Sequence, residues 1–324
     1  MDYIGIENVN EYYTQHYLSA MMGDELDREV FSQWRERAQQ QDPGFEPPDR
    51  ALRDLWQRFF KVRDLLTTRG ERQEQQQATS FQEVASELFT SLGYDVEPTF
   101  LPVGEMPLPA LAAITKADGS PHVWCLSVHN APESGVDILD ASLSAHQFDG
   151  IDRVQWQYED AKLTEWCALS MEEIIGQHIF AMAEPPRFVL LADASQVVLV
   201  DRTKWFEKRM LRFDLTEILG RREREVLQAT AGLLWREALA PEDGLCLLDT
   251  LDDSSHKHAY GVSEDLKYAL REAIELLGNE AVYYRGKVSK QKLHGIDIGE
   301  QLGRECLRYM YRILFLLYIE ARPE

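Results

Sequence analysis

The stretch PPRFVLLADASQVVLVDR, residues 185–202, restricts the fold of this chain more than any other. It contains two apolar runs rich in β-branched residues, which flank the short polar segment Asp193-Ala194-Ser195. Runs of this kind on either side of a tight turn predict an antiparallel β-hairpin. The chain therefore contains β-structure, and the other segments have to be placed around it.

Apolar periodicity divides the chain into three parts. Helical spacing of apolar side chains dominates near both ends, and a block with mixed helical and strand-like spacing lies between them. DPGFEPPD, residues 42–49, interrupts the first helical region, because Pro and Gly break helices. We predict an N-terminal helical segment, 1–50, a mixed α/β domain, 51–215, and a helical connector, 216–324.

The same periodicities predict the elements within these parts. The strands predicted besides the hairpin are Tyr94–Leu101, Leu108–Lys116, His122–Val128 and Met210–Phe213. The helices predicted from residue 81 onwards are Phe81–Leu92, Met171–Met182, Leu215–Leu219, Glu223–Glu237, Ser263–Leu277 and Gly299–Glu320. Gly93 is the expected C-cap of the first of these helices, and Ser263 is the expected N-cap of the fifth.

A helix, a strand and a hairpin in this order match the opening of a restriction-endonuclease-like (PD-(D/E)XK-type) fold. Its chemistry needs an acid on the first hairpin strand and Glu-x-Lys on the second, which bind a divalent cation and position water. The first strand has no carboxylate, and Ser-Val-His at 127–129 occupies the Glu-x-Lys position. We therefore predict an α+β domain with a degenerate, inactive nuclease core. An active nuclease would have to draw its acids from Glu83, Glu87 and Asp118.

The net charge and the cysteine content limit which partners and which cellular compartment are expected. The net charge of −21 repels a phosphate backbone on average, so DNA contacts require a local basic patch. Four widely spaced cysteines without a C-x-x-C pair are typical of a reducing cytoplasm. The N-terminus lacks a secretory signal, and the most apolar run, Met310–Ile319, is too short for a bilayer. We predict a cytoplasmic protein without membrane contact.

Metal and nucleotide sites have little support in the sequence. Histidines are densest at Ser255-His256-Lys257-His258, where Cys246 is the only further zinc ligand nearby. We expect a solvent-facing turn there, with a phosphate-contacting loop and a metal site as alternatives. The chain has neither a phosphate-binding glycine loop nor a G-x-S-x-G motif. We therefore predict no metal and no cofactor for this chain.

Two basic stretches are the predicted DNA-binding sites, because cations bind phosphates and aromatic rings stack on bases. The first, next to Trp205 and Phe206, contains Arg202, Lys204, Lys208, Arg209 and Arg212. The second, next to Tyr283 and Tyr284, contains Arg285, Lys287, Lys290 and Lys292. The alternative for both is a solvated loop whose charge is balanced by nearby acids.

Four stretches together resemble the N-terminal region of large adenine-specific DNA methyltransferases of type IIG restriction-modification and BREX- or DISARM-like phage-defence systems. They are EYYTQHYLS (11–19), PPRFVLLADASQVVLVDRTKW (185–205), VSEDLKYALREAIELLGNEAV (262–282) and ECLRYMYRILFLLYIEARPE (305–324). The resemblance covers essentially the whole chain and implies a position ahead of a methyltransferase domain. The chain lacks the Asn/Asp-Pro-Pro-Tyr/Phe motif that holds adenine, since Asp49 and Arg187 follow its Pro-Pro pairs. S-adenosylmethionine is therefore expected only in a methyltransferase domain outside this chain.

These observations leave three hypotheses open. The first is a non-catalytic DNA- or partner-binding module of a DNA-modification or phage-defence protein, in contact with DNA or other defence-system subunits. The second is a divergent Mg²⁺-dependent DNA endonuclease that uses the acids named above. The third is an acidic protein-interaction subunit without DNA contact, which the net charge of −21 suggests.

Overall fold

The structure of the protein is a computed structural model. It describes residues 3–40, 45–67, 74–129, 135–149, 151, 156, 160–242, 244–290 and 298–320. The chain divides into two compact units, Met1–Ser255 and His256–Glu324, and both predicted boundaries, after residues 50 and 215, fall inside the first unit. Within these ranges, no helix combines the length and the apolarity needed to span a membrane.

Short helices form the first part of unit 1, as the spacing predicts. They are α1 (Gln15–Ala20), α2 (Met22–Leu26), α3 (Ser32–Gln39), α4 (Pro48–Asp54), α5 (Trp56–Thr67) and α6 (Glu74–Ser91). Their apolar faces are buried, with Tyr17, Leu52 and Phe89 completely inaccessible. Helix α6 begins seven residues earlier than predicted. It ends at Ser91, and Gly93, the predicted C-cap, follows two residues later with a φ of +84° that favours glycine.

The described residues contain eight strands, and six of them form one mixed sheet. They are β1 (Ile6–Val9), β2 (Thr99–Val103), β3 (Met106–Ala110), β4 (Ala112–Thr115), β5 (Pro121–Ser127), β6 (Phe188–Ala192), β7 (Gln196–Asp201) and β8 (Met210–Asp214). The sheet has the order β1-β8-β7-β6-β5-β4, while β2 and β3 pair separately. Only β5 and β6 run parallel, so the sheet is mixed. Together with the helices, this sheet confirms the predicted α+β class.

The predicted hairpin is confirmed and lies at the centre of the sheet. Strands β6 and β7 pair in antiparallel register from Phe188↔Asp201 to Ala192↔Val197. Leu190 packs into the apolar cluster on one face of the sheet, and Val189 packs into the cluster on the other face. Because both faces are covered, the two strands are apolar throughout instead of alternating with polar residues.

The sequence misplaces three other strands. The predicted strand Leu108–Lys116 is two strands, since the chain leaves the β2–β3 pair at Leu111 and continues as β4 in the main sheet. Pro107 and Pro109 lack an N–H group, which suits β3 to a small two-stranded pair. The predicted strand Tyr94–Leu101 begins only at Thr99. The four-residue edge strand β1 was not predicted, because so short a run has no recognisable period.

The remaining helices cover the sheet and form unit 2. They are α7 (Asp160–Ala168), α8 (Met171–Glu173), α9 (Leu215–Arg221), α10 (Arg224–Leu234), α11 (Arg236–Leu239), α12 (Leu247–Tyr283) and α13 (Ile298–Glu320). The predicted helix Met171–Met182 is α8 followed by a π-helical turn, Ile174–Ile179. Helix α13 confirms the predicted final helix within one residue.

Helix α12 corrects two predictions. Ser263 is not an N-cap, and Ser255–His258 is not a turn, because α12 runs without interruption from Leu247 to Tyr283. The Ser255 hydroxyl accepts a hydrogen bond from the Thr14 backbone N–H at 3.2 Å. This serine therefore binds a distant segment of the chain, which the local pattern does not reveal.

A buried polar network fixes the first turns of α12 to the sheet. Arg187 donates hydrogen bonds through both terminal nitrogens to Asp249, one of them at 2.7 Å, and its Nη2 lies 3.4 Å from Asp201 Oδ2. Asp201 is only 1 % exposed and also accepts hydrogen bonds from the Tyr12 hydroxyl and the Thr203 backbone and hydroxyl. The network joins the N-terminal segment, β7 and α12 through one buried carboxylate.

Candidate functional site

The predicted nuclease motif would have its Glu-x-Lys at the carboxyl end of β5. Here the Ser127 carbonyl accepts a hydrogen bond from Gln147 Nε2 at 2.8 Å, and the Val128 N–H donates to the Ala192 carbonyl at 3.0 Å. The His129 ring stacks on Phe81 with 6.3 Å between ring centroids. All three positions therefore take part in sheet extension and packing.

Each of the three predicted nuclease acids is engaged by another side chain. Glu83 and Glu87 on α6 both pair with Arg58 on α5, the first at 3.0 Å, and so hold these two helices together. Asp118 accepts hydrogen bonds from the Ser120 N–H and hydroxyl at 2.9 and 2.6 Å, which lower its pKa. Asp118 is thus a turn-former, as its adjacent glycine predicts. Among the residues that the structure describes, no group of three or more His, Cys, Asp or Glu side chains is placed to hold a metal ion.

A cleft of about 380 Å³ opens at the same end of β5. Its ionisable lining consists of His129, His146 and Asp149, and Gln82 and Phe100 complete one wall. His146 Nδ1 lies 3.4 Å from Asp149 Oδ2. The described lining of the cleft therefore carries two imidazoles, amide groups and one carboxylate, but no lysine.

Most cations of the first basic stretch are neutralised within unit 1. Arg209 pairs with Glu207 at 2.6 Å, and Arg212 donates two hydrogen bonds to Asp137. Lys208 pairs with Glu172 at 2.8 Å and lies over the Trp205 ring. The ammonium group of Lys204 is largely buried, bonded to Asp252 at 2.5 Å and to the Tyr12 carbonyl at 3.0 Å.

Arg202 differs from the other members of this stretch. It is exposed and, in the described part of the chain, has no carboxylate within 4.0 Å. One free guanidinium on a body with excess negative charge gives phosphate little attraction. The first stretch is therefore arranged for internal ion pairs, which corresponds to the alternative of charge balanced by nearby acids.

The second basic stretch has the opposite character. It follows α12 as a π-helical turn, Tyr284–Val288, in place of the expected loop. Arg285, Lys287 and Lys290 are exposed, and none of them has a carboxylate within 4.0 Å in the described ranges. Tyr283 and Tyr284 are more than half exposed, and the Lys287 ammonium lies 5.5 Å from the Tyr283 ring centroid. Lys292 lies outside the described residues.

The structure also brings together four arginines that the sequence did not single out. Arg35 on α3, Arg50 and Arg53 on α4, and Arg224 on α10 line one cleft of about 630 Å³ in unit 1. Up to 189 positions separate these residues in the sequence, and each stands among ordinary helix-surface charges. No local signal marks them, since only helix packing determines which surface arginines share a cleft.

No protein-family model, no curated protein and no solved structure matches this chain.

Proposed function

We propose that this chain is a non-catalytic DNA-binding module of a DNA-modification or phage-defence protein, built on a degenerate nuclease-like core. One observation carries the proposal: three exposed cations, Arg285, Lys287 and Lys290, have no acidic partner in the described ranges and stand beside two exposed tyrosines. Unpaired cations bind phosphates, and exposed rings stack on unpaired bases. The chain itself uses no cofactor, and S-adenosylmethionine belongs to a methyltransferase domain outside it.

The distribution of charge supports unit 2 as the DNA contact. Residues 1–255 contain 23 Lys and Arg against 45 Asp and Glu, whereas residues 256–324 contain 11 against 10. The whole negative excess therefore belongs to unit 1, which repels a polyanion. Unit 2 is close to neutral, so a local group of unpaired cations there is not opposed by its own surroundings.

Salt-dependent DNA binding tests the proposal. We expect a fluorescein-labelled 20-base-pair duplex to bind in fluorescence polarisation, with affinity that falls as salt rises from 50 to 200 mM. Arg285→Ala/Lys287→Ala/Lys290→Ala should weaken binding and reduce the log–log salt slope by about 2.7, since each neutralised phosphate contributes about 0.9. An unchanged slope would remove the DNA role of this stretch.

Unit 2 provides a matched control for that variant. Lys267, Arg271 and Arg304 are exposed but paired with Glu264, Glu275 and Glu300. Lys267→Ala/Arg271→Ala/Arg304→Ala therefore changes the charge equally while removing only paired cations. We expect DNA affinity within twofold of the parent protein, and an equal loss in both variants would mean that net charge alone sets binding.

The non-catalytic part of the proposal has its own test. Supercoiled plasmid incubated with the protein and Mg²⁺ or Mn²⁺ should remain uncut, because the expected site has no carboxylates and Glu83, Glu87 and Asp118 are engaged by Arg58 and Ser120. Cleavage that disappears in Glu83→Ala/Glu87→Ala/Asp118→Ala would instead establish the divergent nuclease alternative.

Helix α13 favours a protein partner as a second candidate function. Eight large apolar side chains on it are exposed: Leu307, Tyr309, Tyr311, Phe315, Leu316, Leu317, Tyr318 and Ile319. Each of these side chains has a surface of roughly 200 Å², of which about half is exposed, so together they present on the order of 800 Å². One side of a standard protein interface buries about the same area, although residues 315–319 are consecutive and therefore lie on more than one face of the helix.

Co-purification with proteins encoded by neighbouring genes tests the second candidate. A partner of this surface should be retained by the parent chain and lost in Phe315→Glu/Leu316→Glu. Retention by both proteins would show that α13 is not the contact, and DNA binding by the variant would separate the two functions.

A further inference from the structure

The four-arginine cleft of unit 1 concentrates positive charge on an otherwise acidic body. Within the described part of the chain, its lining includes four guanidinium groups, the amides Gln39 and Gln228, and a single carboxylate, Asp49. Phe31 and Trp34 supply its apolar floor. The volume of about 630 Å³ lies within the roughly 300–1,000 Å³ that ligand sites of small molecules occupy.

The acidic neighbours of these arginines leave much of their charge available. Arg50 and Arg224 have no carboxylate within 4.0 Å among the described residues. Arg35 pairs with Asp27 at 2.6 and 3.1 Å, with both side chains more than half exposed. Solvent screens exposed pairs, so they contribute little to stability and a stronger anion can replace the carboxylate.

The remaining acids around the cleft, which include Glu225 in the first turn of α10, offset its positive charge only in part. Among the described residues, Arg53 pairs only with its sequence neighbour Asp54, at 3.3 Å, and both are exposed. Asp49 is engaged by Gln228 Nε2 at 3.4 Å. Helix α10 begins at Arg224, so the positive end of its dipole is at the same cleft. Like charges gathered in one cleft repel each other, and a bound anion removes that repulsion.

We propose that this cleft binds a ligand of nucleotide size that carries two or more phosphate groups. Arginine suits phosphate better than lysine does, because its planar guanidinium donates two parallel hydrogen bonds. Arg50 and Arg224 provide the primary contacts, and Arg35 and Arg53 exchange their exposed carboxylates for phosphate oxygens. A soluble nucleotide and a stretch of DNA backbone share this chemistry. The proposal does not depend on the stretch Tyr283–Lys290.

Isothermal titration with ATP, AMP and inorganic phosphate, in EDTA to exclude metal, tests the site. The full chain should bind ATP most tightly and inorganic phosphate least, because each additional phosphate engages another arginine. Arg50→Ala/Arg224→Ala should weaken ATP binding at least tenfold. Absence of ATP binding by the parent protein at millimolar concentration would overturn the proposal.

A control of equal charge distinguishes a site from general attraction. Arg202→Ala/Arg209→Ala removes two cations from unit 1 at exposed or half-exposed positions away from the cleft. We expect ATP affinity within twofold of the parent protein. Equal weakening in both double variants would show that net charge accounts for binding and would overturn the site. Circular dichroism of each variant verifies that the fold is retained.

Competition with the labelled duplex identifies the source of the phosphate. If the cleft holds DNA backbone, ATP displaces the duplex and Arg50→Ala/Arg224→Ala weakens DNA binding. If the cleft holds a soluble nucleotide, ATP binds in the presence of DNA, and the double variant loses ATP alone. The triple variant of Arg285, Lys287 and Lys290 should bind ATP normally, so failure of the DNA proposal and failure of this one give different results.

Discussion

Removal of the Arg187 guanidinium should destabilise unit 1 far more than loss of an ordinary surface ion pair. The side chain is about four-fifths buried and bonds Asp249 while lying 3.4 Å from Asp201, which is completely enclosed. In Arg187→Met the apolar volume is largely kept, but Asp201 stays buried without a cation. Breaking such a pair costs about 3–5 kcal/mol, mainly because an uncompensated charge remains.

A matched exposed pair gives the reference for this cost. Arg221 bonds Glu217 one helical turn away at 2.7 Å, with both side chains nearly half exposed. Arg221→Met should change the free energy of unfolding very little, because solvent screens the pair. Urea unfolding followed by tryptophan fluorescence measures both variants. A loss of about 3 kcal/mol also lowers the melting temperature by roughly 6–12 °C in a unit of this size.

A second substitution tests the cause of the effect. Asp201→Asn removes the buried charge while its side-chain oxygen still accepts from Thr203, whose hydroxyl lies 2.7 Å from the carboxylate. In the Arg187→Met background, Asp201→Asn should therefore recover at least half of the lost stability. If Arg187→Met costs no more than Arg221→Met, or if the second substitution adds to the loss, the buried charge of Asp201 is not the cause of the effect.

Three further predictions concern pH, thiol reactivity and backbone conformation. Burial lowers the pKa of His122, so its neutral form contributes stability above about pH 6.5, and this stability is lost as the pH falls. His122→Phe should flatten this part of the plot of stability against pH. Desolvation raises the pKa of Cys125 and brings that of Cys246 to about 11, so neither thiol should react with Ellman's reagent at pH 7 unless urea is added. Gly93 and Gly119 share a φ of +84°, but only a Cβ at Gly93 would meet a neighbouring atom, at 3.2 Å. In thermal unfolding, Gly119→Ala should therefore cost about 1–2 kcal/mol, and Gly93→Ala should cost measurably more.

Local chemistry accounts for the elements that the sequence located. The β6–β7 hairpin, the C-cap at Gly93, the Asp118 turn and helix α13 each depend on side chains within a few residues of one another. Backbone preferences and hydrophobic periodicity act over this same range, so such elements are visible in the sequence alone. The absence of the nuclease motif at 127–129 is equally a fact of the sequence.

Errors arose where distant contacts override local preference. Ser255 is a residue typical of a turn or cap, yet it lies inside α12, where its hydroxyl bonds Thr14, 241 positions away. The break at Leu111 between β3 and β4 follows from two different sheets competing for one segment. Neither interaction leaves a trace in the neighbouring residues.

The order of residues specifies which side chains carry charge, which segments repeat with a helical or strand period, and that Glu-x-Lys is missing at 127–129. Which of those charges remain available depends on how the chain folds. The fold pairs Lys204 and Lys208 with acids far along the chain, leaves Arg285 without a carboxylate partner among the described residues, and gathers Arg50 and Arg224 into one cleft. Electrostatic interactions act through space, so the partner of a charge, and hence its capacity to bind a ligand, is fixed only when the chain has folded.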